Sequence, residues 1–439
     1  MITVFCTKGF IPEKKYVFDF IFNEVFEKNY CLKILDNSNH YIIKLDNDNI
    51  IRILDSFWIK QKNENYIKKN NLPQNIIITQ SEFSSEHDIL SLYGSPKIIK
   101  SNKEISCELD IIASIFFMLS RWEECLNSFN RDNYNRFSIS HSSAFKNNFI
   151  TRPLVNEYIE LIKNFLAYLN YNIEYKDKYQ IIPTHDIDDI YKFKSKRLTL
   201  KDISYNLIKQ QKYNIGLKKI YDITLNNFHL KRDPFDTFNY LMQLSEKYKV
   251  KSRFYLRLQK FRNQKHLFNI QEKIIDSIKK SNHIIGFHPG FNTYSNEKIW
   301  LKEKNLIESK YKIKMEEGRQ HYLQFKNPIT WRIWDNNNMK IDSTLCYPEH
   351  EGFRCGTASE FHVFDVYKRK KLNLIERPTI IMDRTLTSYR KIDETSMLQI
   401  INYYKNICKK YKMPLTILFH NSSFCYELKK LRNIYPKFF

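Results

Sequence analysis

The chain has 439 residues, 42% of them hydrophobic, and a formal net charge of +23. Its length and apolar content suit an enzyme-sized core or two smaller ones, while the opening MITVFCTKGFIPEKKY and the short apolar stretch Ile111 to Leu119 supply neither an export signal nor a bilayer span, so a two-domain cytoplasmic chain without a transmembrane segment is expected. The lysines are spread through every segment alongside abundant Asn and Ile, which reads as a diffuse basic surface and gives no expectation of a nucleic-acid partner.

In chain order, residues 1 to 175 open with short strand-like runs, ITVFC, CLKILD, HYIIKLD and IIRIL, and then a helix from Asp110 to about Cys125 with apolar residues at helical spacing. No Pro/Gly/Ser-rich linker follows, and the boundary near Tyr175 rests on a change of pattern. From Gln180 onward strand and helix alternate: QIIPTHDID, a basic, mainly helical insertion from Lys194 to Lys231, a helix opening at Asp233-Pro234, KSRFYLRL, NIQEKIIDSIKK and HIIGFHP. The alternation runs on through EKIWLKEKNLIESKY, GRQHYLQF, NPITWRIWDNNN, LNLIERPTIIMD, TSMLQIINYYKNICKKY and PLTILFHN. Units repeated in this way predict an α/β fold with a parallel sheet closed as a barrel over residues 176–439, preceded by a smaller α+β domain. The eight cysteines have no CxxC pair or framework spacing, so reduced, mostly buried thiols are expected.

The ionisable residues gather at the C-terminal ends of the proposed strands, the rim where parallel sheets build sites. Thr184-His185-Asp186-Ile187-Asp188 places Asp186 and Asp188 on one side of an extended segment, so that one can bind metal while the other stays free as a base. His288 follows an apolar strand, with Asn292 four residues on; Gly318-Arg319-Gln320-His321-Tyr322 ends another strand, and Leu418-Phe419-His420-Asn421 ends the last. Singly, each reads as a hydrogen-bonded structural residue or a polar turn. In order on consecutive units, they are hard to explain as turns.

At these residues the chain resembles the polysaccharide deacetylase family, carbohydrate esterases with a distorted seven-unit barrel, over roughly Gln180 to Asn421. The phrases GRQHYLQF, TWRIWDNNNMKIDSTLCY and GFRCGT are similar to a subgroup in which an N-terminal domain of no assigned function precedes the barrel. The resemblance implies a distorted (β/α)7 barrel, Asp186 as general base, Asp188 and His288 as metal ligands, Arg319 as the tether of the base and His420 as general acid. It implies an acid orienting that histidine, for which Glu376 and Asp383 are both placed and Asp383 is preferred. The family's second ligand histidine falls on Asn292, a neutral and weaker donor that would bind zinc less tightly, favour another divalent ion or recruit another residue such as His185. Asn292 is nevertheless taken as the third ligand.

The expected reaction is metal-dependent removal of an N-acetyl, or less readily an O-acetyl, group from a sugar or glycan precursor, with a divalent cofactor, Zn2+ first. His185, Tyr322 and Trp331 are the expected substrate contacts. A glycan-binding barrel that does not hydrolyse is the rival, motivated by Asn292, and a DNA-binding surface on the basic insertion ranks last.

Overall fold

Alternating burial builds the first sheet. Strands β1 (Ile2–Thr7), β2 (Tyr30–Leu35), β3 (His40–Lys44), β4 (Ile50–Leu54), β7 (Gly94–Lys100) and β8 (Glu104–Leu109) pair in the order β2-β1-β3-β4-β8-β7, while β5 (Ile77–Gln80) and β6 (Asp88–Ser91) form a separate hairpin. In β1, β3, β4 and β8 every second residue is buried, so one face packs and the other meets solvent. The helix Ile111–Ser120 is buried at every position, and Asp110 caps it by accepting from the Ala113 N–H. It is shorter than the sequence suggests, because Arg121 turns left-handed and the chain continues as a 3-10 turn over Trp122–Cys125.

The computed structural model describes all residues except 62–64, 87, 127–130, 194–195, 229, 231 and 259–264, and describes 196 and 265–268 by backbone alone. Among the described residues no helix is long and apolar enough to cross a membrane.

The second sheet takes β9 (Ile181–Ile187), β10 (Arg253–Leu256), β11 (Ile284–Phe287), β12 (Glu317–Gly318), β13 (Ile341–Asp342), β14 (Phe361–Asp365), β15 (Lys370–Glu376), β16 (Ile381–Met382) and β17 (Leu415–Leu418) in the order β14-β15-β13-β12-β11-β10-β9-β17-β16. All neighbours are parallel except β14, an antiparallel edge strand that the sequence pattern did not announce. Strand β9 is buried on both faces, as a central parallel strand is.

The sheet curls. Arg319, just past β12, donates to Thr184 on β9 at 2.9 Å and to Thr379 beyond β15 at 2.8 Å. Three strand spacings in a flat sheet would be roughly 14 Å, beyond the reach of one side chain. The ladder nevertheless stays open: the chain from Arg377 to Ile380 crosses the seam between β15 and β16, and there Thr379 donates to the Leu345 carbonyl and Ile380 to that of Thr416. A mixed α/β fold is thus clear, while the ladder itself is not a closed seven-unit ring.

One continuous hydrophobic cluster runs from Ile2 through the helix Ile111–Ser120 to Phe438, so the two sheets share a core. Buried ion pairs join them too, Arg354 meeting Glu124 at 2.6 Å. Asp233 does not open a helix: its carboxylate takes the N–H groups of Lys192, Phe193 and Phe235, and the helix begins at Phe238. Helices Lys196–Ser204 and Tyr213–Asn227 make up most of the basic insertion.

Candidate metal centre

The apolar run QIIP carries β9 into the core, and its polar continuation emerges at the C-terminal rim. Asp186 is fixed there by Arg319, whose Nη1 donates to Oδ1 at 2.7 Å. The guanidinium also donates to the Ser343 carbonyl and to the hydroxyls of Thr184, Ser343 and Thr379. All three guanidinium nitrogens donate, and the side chains of Arg319 and Asp186 are 0% and 4% exposed. Loss of one partner from such a pair leaves a buried charge, at a cost of about 3–5 kcal/mol.

Two residues on, Asp188 meets two imidazoles. His321 Nε2 lies 3.0 Å and His288 Nε2 3.3 Å from the same oxygen, Oδ1. These three residues form the group of ligand-type side chains that could hold a metal ion among the described residues. The His288 ring is oriented from behind: Nδ1 lies 2.7 Å from the Arg319 carbonyl oxygen, an acceptor only, so Nδ1 carries the proton. With Nδ1 so committed, Nε2 is the ring nitrogen that faces the Asp188 carboxylate oxygen. That arrangement needs a positive charge between them, either a proton or a cation. Burial works against the charge on Asp188, yet hydrogen bonds from His288 and His321 and the field of His420 hold its carboxyl well below the usual range. Burial, only partly offset by Asp188, lowers the pKa of His321, which favours the neutral imidazole that ligates metals.

The third ligand-type residue is thus His321, and Asn292 does not join the group. After His288 the chain turns through Pro289-Gly290 into a left-handed Asn292, φ 63°, whose exposed side chain sits beside the Gln324 amide at 3.5 Å. The helical turn that would have brought residue 292 back over residue 288 does not form there. His321 was legible only as part of GRQHY, where it shares alternating parity with Arg319, the residue whose side chain turns inward. The turn that presents it is strained: Tyr322 and Leu323 both sit at positive φ, 57° and 56°, each costing on the order of 1–3 kcal/mol.

Across the pocket, β17 delivers His420. Asp383, buried at the end of β16, accepts from the His420 backbone N–H at 2.7 Å and holds the ring with Nδ1 2.9 Å from Oδ1. Burial opposes protonation of His420, but Asp383, with help from Asp188 and Asp186, raises it to about 9. Its Nε2 faces Asp188 at 3.8 Å. Glu376 lies elsewhere, buried where it takes the indole N–H of Trp331 and the N–H of Leu345.

Asp186, Asp188, His288, His321 and His420 open on one pocket of about 210 Å3, which Tyr322 also lines. Leu323, Met382 and Leu418 form its apolar wall and, with Cys346, a hydrophobic cluster separate from the main core. Arg136 reaches the pocket from the N-terminal region. Two expected substrate contacts are placed elsewhere. Trp331 is fully buried against Phe325, and His185, one residue out of phase with Asp186, points away from the pocket to the Phe419 carbonyl and Ser252. Burial lowers His185 to about 4, so it is a neutral core histidine.

Residues 2–171 match a family of unknown function (DUF7033). No curated protein matches the chain. Among solved structures, the chain is similar to the crystal structure of a candidate polysaccharide deacetylase from Mycobacterium smegmatis, with 14% identity, 60% of this chain and 85% of that chain covered, and a TM-score of 0.38.

Proposed function

We propose that the chain is a metal-dependent hydrolase that removes N-acetyl, or less readily O-acetyl, groups from a sugar or glycan precursor. In this reading residues 176–439 are a barrel of the polysaccharide deacetylase type and residues 1–175 a distinct α+β domain. One observation carries it: two imidazole nitrogens, one with its tautomer fixed from behind, converge on a single carboxylate oxygen between a clamped carboxylate and a histidine held protonated.

One carboxylate oxygen and two imidazole nitrogens suit zinc with a position left open. A divalent ion there would polarise the acetyl carbonyl and acidify the attacking water. Asp186, prevented by Arg319 from swinging away, takes the proton of that water. His420, charged at neutral pH because Asp383 stabilises its imidazolium, gives a proton to the departing amine nitrogen. The two roles are separated because one group is clamped by a cation and the other by an anion. The wall of Leu323, Met382 and Leu418 suits an acetyl methyl, and Tyr322 at the mouth suits a sugar face.

The rival reading, a glycan-binding barrel without hydrolysis, drew on Asn292 standing where a ligand histidine was expected. The His321 nitrogen 3.0 Å from Asp188 offers a ligand in its place and supports the hydrolytic reading.

Acetate release from N-acetylated glycans, measured with and without chelator, tests the proposal. We expect activity that is lost on chelation and restored by zinc. Chelator-resistant activity, or wild-type activity in Asp188→Ala, overturns it.

A further inference from the structure

His288 and His321 are held differently. The Nδ1 of His288 is tied to the Arg319 carbonyl, whereas the buried Nδ1 of His321 has no hydrogen-bond partner among the described residues. Apart from the contact of its Nε2 with Asp188 at 3.0 Å, its direction is set by the backbone that carries it and by the rings of Tyr322 and His288 at 4.5 and 5.0 Å. That backbone is the left-handed pair Tyr322 and Leu323, a conformation such residues keep only when their surroundings enforce it.

Much of the enforcement comes from a segment nearly two hundred residues earlier. Arg131 to Phe137 is a tight loop, closed by a bridge between its two ends and by Asp132, whose Oδ1 takes the N–H groups of Tyr134 and Arg136. Asp132 Oδ2 fixes the Arg136 guanidinium at 2.7 Å. The loop presses its outer side onto residues 322–325. Arg136 Nη1 donates to the Tyr322 carbonyl at 3.3 Å, the Tyr134 ring stacks on the Tyr322 ring at 5.0 Å and 20°, Gln324 Nε2 donates to the Tyr134 carbonyl at 2.8 Å, and Arg131 Nη1 donates to that of Phe325 at 2.9 Å.

We propose that this N-terminal loop is a positioning part of the metal centre, in which Tyr134 and Arg136 lock the strained turn and so aim His321 at the ion. The N-terminal region then serves the site directly, since without it the third ligand loses its support. The inference rests on the metal-dependent reading above. Residues outside the ligand shell that orient ligands commonly change metal affinity 10–100-fold when removed.

The test is the affinity of the purified full-length chain for Zn2+, by competition with a chromophoric chelator, together with the visible spectrum of the Co2+-loaded protein. Tyr134→Ala and Arg136→Ala are expected to bind about 10–100-fold more weakly and to alter the Co2+ spectrum, with melting temperatures near wild type. Tyr134→Phe, which keeps the stack, is expected to restore both. Should one alanine variant melt early, the other carries the measurement. Wild-type affinity and spectrum in a folded alanine variant overturn the brace alone. A wild-type chain that binds neither Zn2+ nor Co2+ overturns the hydrolase reading and the brace with it.

Discussion

Two buried ion pairs invite comparison. In the first sheet Lys14 meets Asp55 at 2.9 Å, both side chains 0% exposed, with Thr7 donating to Asp55 and accepting from Lys14. In the second, Arg319 meets Asp186 with the same near-zero exposure and its own threonines. By burial and chemistry the two are alike. They differ in what lies beyond: Asp186 opens on a pocket shared with Asp188 and three imidazoles, whereas Asp55 spends its other oxygen capping Trp58. A buried charge pair is therefore no sign of a site by itself; an open side with ligand-type and proton-carrying neighbours is.

The comparison breaks most sharply in activity. Asp186→Asn should lower acetate release about 10²–10⁴-fold, the range for loss of a general base, whereas Asp55→Asn should leave the turnover of the folded fraction near wild type. Steady-state rates normalised to metal content check both. Equal losses would mean that Asp186 is as structural as Asp55.

In stability the two should look alike. Arg319→Ala and Lys14→Ala each strand a buried carboxylate, and each should cost about 3–5 kcal/mol in denaturant unfolding. Their rescue should differ. Lys14→Met combined with Asp55→Asn removes both charges and should recover at least half the loss, because an uncharged core pair is tolerated. Combining Arg319→Met with Asp186→Asn can recover stability in the same way but should not recover hydrolysis. Recovered hydrolysis in that double variant would remove Asp186 from the mechanism.

The same contrast governs what could be read from the sequence. Asp186, Asp188, His288 and His420 stand out because they end or follow apolar strands, and the fold gathers those ends on one rim; Arg319 was reached as the tether only through the family resemblance. The gap at residue 292 and the role of His321 were not legible, because ligand spacing was counted along a helical turn that Pro289-Gly290 and a left-handed Asn292 prevent. Asp233 misled for a similar reason: a good helix-start residue was claimed by the backbone of Lys192 and Phe193, some forty residues earlier. In both cases distant partners, not the local sequence, decide how the residue is used. The contacts of the loop Arg131–Phe137 were invisible because its partners at residues 322–325 are remote in sequence.

The smallest expected effect is a pH dependence at the pocket. In metal-free protein His420 is raised to about 9 by Asp383, after burial has worked the other way. A histidine raised above its unfolded value of about 6.5 contributes stability that is fully present below that pH and is lost as the pH climbs through 9. The gap corresponds to about 3 kcal/mol. The advantage of the wild-type chain over His420→Gln in denaturant unfolding should therefore be widest near pH 6 and shrink by about that amount by pH 10. NMR titration of His420 in Asp383→Asn should show its pKa falling. A His420 that titrates near 6.5 with Asp383 intact would leave the proposed acid uncharged at neutral pH and remove the reason for assigning it that role.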